Sequence, residues 1–288
     1  MGVTDVRFQQ VGIQWNATKA TGLDTARRLI RFLETHGVAV VANGSLAHAI
    51  DRPELSGEGG FAHCEMVAVL GGDGTILRVL DETIPNDIPV WGINLGRLGF
   101  LSETEPDELE ADLTRILEGA YAIEERMTMC VDGFPNDRYF ALNEIVVSRA
   151  NPEIHILSLE YASNGVKIHR IAGDGLIVSS ATGSTAYSLS AGGPIIAPGL
   201  DCFVLTPICP HMLNVRPVVL SSSDVISIRL TEGQESARAV LDGRKMLEMN
   251  REHPMVTIRK SERTAKFIRL HDRNYYDLLR AKLSEWTR

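Results

Sequence analysis

Charge is missing from one long stretch of this chain. From Gly175 to Leu200 no side chain is charged, although 23% of the 288 residues are Asp, Glu, Lys or Arg. At an ordinary charged fraction such a gap arises at a given start about once in a thousand, so it needs a cause. A membrane span is excluded, because Gly, Ser, Thr and Pro interrupt every apolar run where about 20 mostly apolar residues are required. Cysteine is scarce as well. Cys64, Cys130, Cys202 and Cys209 form no C-x-x-C pair, so four reduced, mostly buried thiols are expected. The 29 basic residues fall short of the 37 acidic ones, and a net charge of −8 argues against a nucleic-acid binder, which needs a basic face. There is no G-x-x-x-x-G-K-[ST] loop, no G-x-G-x-x-G fingerprint, no G-x-S-x-G elbow and no H-E-x-x-H pair, which withdraws support from P-loop, ordinary dehydrogenase, serine-hydrolase and zinc-protease readings. Residues 1–15 lack the basic start and apolar stretch of a secretion signal. A cytoplasmic protein with neither a membrane nor a nucleic-acid partner is expected.

What the uncharged stretch contains is glycine and hydroxyl. The segment GDGLIVSSATGSTAYSLSAGGPI, residues 173–195, lets a backbone approach a flat polar ligand and offers it amides and hydroxyls. It reads as a binding surface. A second glycine cluster follows the apolar run Met66–Leu70: Gly71, Gly72, Asp73, Gly74 and Thr75 lead into Ile76-Leu77-Arg78-Val79-Leu80. Neither flank alternates, so this is a buried strand turning into a helix whose first amides attract phosphate, not a hairpin. Asp73 gains nothing beside a phosphate, where two like charges a few ångströms apart cost on the order of 4 kcal/mol. It therefore either helps hold a divalent cation against phosphate oxygens or accepts the proton of an attacking hydroxyl.

The chain changes character near residue 125. Before it, strands at 8–13, 38–42, 66–70 and 88–93 alternate with helices at 22–36 and 106–118, which predicts a Rossmann-like α/β domain with a parallel sheet over 1–125. After it, short strands at 139–142, 145–148, 156–161, 166–171, 225–230, 238–241, 255–259 and 266–270 follow one another, with Asn164-Gly165 and Asp242-Gly243 as turn signals. An all-β, sandwich-like domain over 126–270 is expected, followed by a C-terminal helix within 271–288.

The two glycine clusters together carry a resemblance. GGDGT at 71–75, GINLGRLGFL at 92–101, Asn143-Glu144 in ALNEIVVSR, GDG at 173–175, TGSTAYSLSAGGP at 182–194 and PHMLNVRP at 210–217 resemble, in order and spacing, the motifs of the NAD kinase family. The resemblance implies transfer of the terminal phosphoryl group of ATP, with Mg²⁺, to the 2′-hydroxyl of the adenosine ribose of NAD. It assigns Asp73 to catalysis and Gly71, Gly72, Gly74, Thr75 and Arg78 to the ATP phosphates. NAD binding falls to Asp73, Gly74, Asn143, Glu144, His155, Asp174, Thr185, Ala186, Tyr187, Ser188, Leu189, Ser190 and Arg244, and no metal ligand is assigned. It further implies that the C-terminal helix completes the first domain and that the chain forms a homo-oligomer, a dimer or tetramer. Three positions depart from the family pattern: Ala181 where proline is usual, Arg244 where Gln is usual, and Ala172 where a larger side chain is common. Two rival readings remain, a lipid kinase sharing the GGDGT turn and a non-catalytic dinucleotide sensor.

Overall fold

A computed structural model describes residues 8–19, 22–96, 99–132, 139–150, 156–233, 236–272 and 274–285. The chain forms two compact units, one of Met1–Glu125 with Ala265–Arg288 and one of Arg126–Thr264.

The first unit is an α/β layer structure. Its strands β1 (Gln10–Trp15), β2 (Ala39–Ala42), β3 (Met66–Gly71) and β4 (Val90–Asn94) pair in parallel in the order β2-β1-β3-β4. Between them run α1 (Gly22–Thr35), α2 (Gly44–Ala49) and α3 (Asp73–Thr83), and α4 (Leu109–Leu117) follows β4. Every residue of β3 and β4 is buried, which explains why these strands read as continuous apolar runs. In α1, Ala26, Leu29, Ile30 and Leu33 recur at helical spacing, and all four enter the core with Ile13, Leu70 and Trp91. Phe267 pairs in parallel with Val90, adding the end of the last strand to this sheet. Beyond it, buried Glu103 accepts the N–H groups of Leu270 at 2.9 Å and His271 at 2.8 Å, and pairs with Arg269 at 3.1 Å. The return segment is thus pinned between residues 267 and 271. It ends in a half-exposed helix, Tyr275–Glu285, whose Tyr275 ring lies 6.3 Å from that of Phe100.

The second unit is a β-sandwich. One sheet has the antiparallel order β12-β11-β10-β7-β14-β15, from β7 (Glu144–Arg149), β10 (Gly175–Ser180), β11 (Cys202–Ile208), β12 (Val218–Ser221), β14 (Ala237–Leu241) and β15 (Lys245–Met249). The other is built on β8 (Leu157–Ser163), β9 (Val166–Gly173), β13 (Ile226–Leu230) and the first part of β16 (Met255–Arg269), with β5 (Ala122–Asp132) and β6 (Phe140–Ala141) alongside. Ile145, Val147, Leu176, Val178, Phe203 and Leu205 of the first sheet share a core with Leu159, Tyr161, Ile226, Ile228, Val256 and Ile258 of the second. A four-residue helix, α5 (Tyr187–Ser190), covers part of the first sheet.

Two differences from the sequence expectation have physical causes. Segments 255–259 and 266–270 are one strand, β16, because its polar middle stays extended and does not turn. And the uncharged stretch opens with β10, a strand buried at every residue, so burial accounts for much of the missing charge.

Candidate active site

At the carboxyl end of β3 the chain turns into α3 through Gly71 and Gly72, as ligand-binding turns of parallel sheets do. A Cβ at Gly71 would lie 2.4 Å from Thr75 Oγ1, so glycine there is a packing requirement. Among the described residues nothing lies within 4 Å of a Cβ at Gly72 or Gly74, so the protein's own packing does not require glycine there and the backbone stays open to close approach. Thr75 is turned inward. Its N–H donates to the Gly72 carbonyl at 2.8 Å, and its hydroxyl accepts from Asn16 Nδ2 at 3.3 Å. Arg78 is exposed on α3, with no partner among the described residues.

Asp73, the first residue of α3, is held by backbone. The N–H of Phe100 donates to its Oδ2 at 2.9 Å and that of Leu101 to its Oδ1 at 3.1 Å. Gly99 makes this cradle possible, since a Cβ there would lie 2.1 Å from Asp73 Oδ1. Two polar residues at neighbouring strand ends complete the surroundings. Asn16, after β1, bonds Thr75, while Asn94, ending β4, donates to the Gly96 carbonyl at 3.1 Å and to Glu105 at 3.0 Å. Sequence reading missed both, although an Asn at the carboxyl end of a strand beside β3 was the available signal.

In the second unit, Asn143 and Glu144 sit where β7 begins. The Asn143 carbonyl accepts the Ser180 N–H at 2.9 Å and passes over Gly183 so closely that a Cβ on that glycine would lie 2.0 Å away. Its side-chain amide has no partner among the described residues. Glu144 is 9% exposed; its carboxylate takes an N–H from Tyr187, yet its Oε2 is buried with no hydrogen bond among the described residues. Asp174 donates its N–H to the Ile208 carbonyl at 3.0 Å, and its carboxylate lies 3.1 Å from Arg149 Nη2. The glycines on either side of Asp174 serve packing and not its exposure: a Cβ at Gly173 would meet the Cys209 carbonyl at 2.8 Å, and one at Gly175 the Val147 carbonyl at 2.2 Å. Arg149, Asp174, Tyr187 and Arg238 line a polar cavity of about 370 Å³ with Ser148, Ala150 and Ile208. A larger concavity of about 610 Å³ along Lys167–Ala172 contains none of the predicted site residues.

Residues 11–121 match the ATP-NAD kinase N-terminal domain, and residues 142–270 match the ATP-NAD kinase C-terminal domain. The chain belongs to the NAD kinase family. The NAD kinase of Moorella thermoacetica is 39% identical over 286 residues, 96% of this chain and 90% of that protein. That of Heliobacterium modesticaldum is 38% identical over 288 residues, 96% of this chain and 98% of that protein. A crystal structure of an NAD kinase from Archaeoglobus fulgidus in complex with ATP superimposes with a TM-score of 0.72 at 30% identity, covering 90% of this chain and 92% of that one. The chain is an enzyme, and its activity is ATP-dependent phosphorylation of NAD.

In this NAD kinase family member the hydroxyl-rich segment divides by direction. The Ser180 hydroxyl donates to the Leu142 carbonyl, the Ser184 hydroxyl to that of Ala181, and Ser188 pairs with Thr206 at 2.8 Å, so these hydroxyls hold the turn together. Thr185, Ala186 and Leu189 are half-buried, while Tyr187 and Ser190 are exposed. Arg244 lies beside Asp242, 3.6 Å from its Oδ2. His155 lies outside the described residues. Sequence reading took Asp242 as a turn residue only and did not single out Arg149, Arg238, Phe100 or Leu101.

Burial first, and the charge of Asp242 second, push the Glu144 carboxyl up to about 8. A carboxyl with a folded pKa above its unfolded value favours the folded state while protonated. That contribution is complete below about pH 4.3 and is lost as pH rises through about 8, at up to about 1.36 kcal/mol per unit. Between about pH 5 and pH 8 the urea midpoint of the ligand-free protein should therefore fall more steeply than that of Glu144→Gln. Parallel curves for the two proteins would show that Glu144 is not so perturbed.

Proposed function

We propose that the first unit binds ATP at the 71–75 turn and the second binds the adenosine end of NAD, with phosphoryl transfer to the 2′-hydroxyl of its ribose. The observation that supports the acceptor site most is the buried, unpartnered Oε2 of Glu144. Leaving such an atom without a hydrogen bond costs about 1–3 kcal/mol or more, and a ribose hydroxyl supplies the missing donor. The free amide of Asn143 pairs with an adenine edge, and Asp174 accepts from an amino or amide group of the dinucleotide. Tyr187 offers a ring face, and the Ala186 and Thr185 backbone lies beside it. Arg149 and Arg238 set positive charge in the same cavity, where an anionic dinucleotide benefits and an acyl chain does not. The lipid-kinase reading has no comparable support.

Phosphoryl transfer has a loose transition state, so positioning and charge neutralisation carry most of the rate. The exposed amide at Gly74 and the Arg78 guanidinium face the donor phosphates, and the open surface over Gly72 admits them. Asp73, fixed by the Phe100 and Leu101 amides, orients the acceptor hydroxyl and takes its proton late in the transfer. Mg²⁺ fits this turn as an ion carried chiefly by the nucleotide, with Asp73 the carboxylate that would meet it. The one group of three metal-capable side chains among the described residues, Glu108, Asp112 and His271, includes none of the turn's residues. Bound Mg²⁺ supplies neutralisation of phosphate charge.

We also read the enzyme as a cytoplasmic homo-oligomer. Each of the edge strands β9, β12 and β15 exposes a large apolar side chain, Val166, Val219 and Met246 respectively, which suits edge-to-edge contacts between copies. Among the described residues no helix is long and apolar enough to cross a membrane. The acceptor site is tested by calorimetry: Asn143→Ala and Glu144→Ala should each weaken NAD binding by about 1–3 kcal/mol. Unchanged affinity in both variants would overturn it.

A further inference from the structure

The backbone that presents Asn143 and Glu144 converges on a single side chain. The N–H of Leu142 donates to Asp242 Oδ2 at 2.8 Å, and those of Asn143 and Glu144 donate to Asp242 Oδ1 at 2.9 and 3.0 Å. The Asp242 N–H returns to the Glu144 carbonyl at 2.9 Å. Asp242 heads the turn between β14 and β15, where it and Gly243 take φ of +47° and +66°. Asn or Gly would satisfy that turn equally well. The turn therefore does not explain a carboxylate whose side chain has no exposed surface and which stands next to another buried acid. Its four acceptor positions do explain it, because an Asn amide would turn an N–H toward one of the three donors.

We propose that Asp242 is the positioning residue of the acceptor site: it clamps the 142–144 turn so that the Asn143 amide and Glu144 carboxylate meet NAD together, and its charge, balanced by Arg244, governs the ionisation at which Glu144 receives the ribose. This rests on the reading of Asn143 and Glu144 as NAD ligands. The groups that act on Glu144 are Asp242 from the β14–β15 turn, the neutral Ser179 as its cross-strand partner on β10, and the Tyr187 N–H from α5, while Arg244 stands behind Asp242, 3.6 Å from its Oδ2. Burial raises the Asp242 carboxyl while its three amide donors and Arg244 oppose the rise. The ionisation of Glu144 is thus coupled to the charge on Asp242, and a ribose hydroxyl donates only to the ionised Glu144.

The clamp predicts two opposite movements. Asp242→Asn should raise the Kd for NAD by about 10- to 100-fold, leave the KM for ATP within about threefold, and move the midpoint of NAD affinity against pH downward, because one negative charge has gone. Arg244→Gln leaves the clamp in place and should move that midpoint upward, because the pair loses its counter-charge. A structural defect alone lowers affinity without moving the midpoint, and Arg244→Gln carries the test if Asp242→Asn does not fold. The experiment is NAD calorimetry from about pH 6 to 9 on the full-length wild type and both variants. Opposite shifts support the clamp. Unchanged midpoints with wild-type NAD binding intact overturn it, whereas a wild type that does not bind NAD overturns the acceptor reading beneath it.

Discussion

Asp73→Asn will lower turnover by about 10² to 10⁴ while leaving NAD binding and the fold nearly intact, the range for loss of a positioned acid or base. The fold survives because Asp73 stands at the first position of α3 and is half-exposed, so its packing contribution is small. Its favourable charge at a helix N-terminus is worth about 0.3–1 kcal/mol. The chemistry does not survive. An Asn can accept from one of the Phe100 and Leu101 amides through its single oxygen, but it cannot also take a proton from the acceptor hydroxyl. Steady-state assays at saturating ATP and NAD measure this directly. Near-normal turnover in the variant would remove Asp73 from the reaction.

The second large effect comes from a residue that bears no chemistry. Gly183→Ala puts a Cβ 2.0 Å from the Asn143 carbonyl oxygen, a distance no native contact tolerates, and the neighbour is backbone that cannot rotate away. The 142–144 turn must then shift, which destabilises the protein by about 1–3 kcal/mol as an overpacked core does. The same shift misplaces Asn143 and Glu144. NAD affinity should fall by about tenfold or more, whereas the KM for ATP should hold, since Gly183 lies in the second unit. Calorimetry and a denaturation curve on one preparation read both quantities. A Gly183→Ala protein that binds NAD normally would show that the turn's position is not what NAD affinity depends on.

The sequence disclosed the motifs and much of the architecture, but not the reasons for particular residues. The β3 strand and the α1 stripe were legible because a buried run and a helical period survive in one dimension. By contrast, β10 and β11 show no alternation, since both of their faces are covered, and so Gly175–Ser180 read as a ligand surface when it is largely interior. The glycines at 173, 175 and 183 looked like openings for a ligand. They are contact points with Cys209, Val147 and Asn143, which only the fold brings near. Asp242 looked like a turn former because the residues it holds lie about a hundred positions earlier. The Phe100 and Leu101 amides that fix Asp73 had no signal of their own, because a backbone N–H is the same whichever side chain it carries. Only Gly99, beside them in the GINLGRLGFL motif, marked the place.

The most direct test of the account is the position of the transferred phosphate. Purified protein incubated with ATP, Mg²⁺ and NAD should release one ADP for each NAD consumed and give a product whose new phosphomonoester, located by phosphorus–proton correlation NMR, sits on the 2′-carbon of the adenosine ribose. Phosphate on another hydroxyl, or ADP release that requires a lipid alcohol in place of NAD, would contradict it.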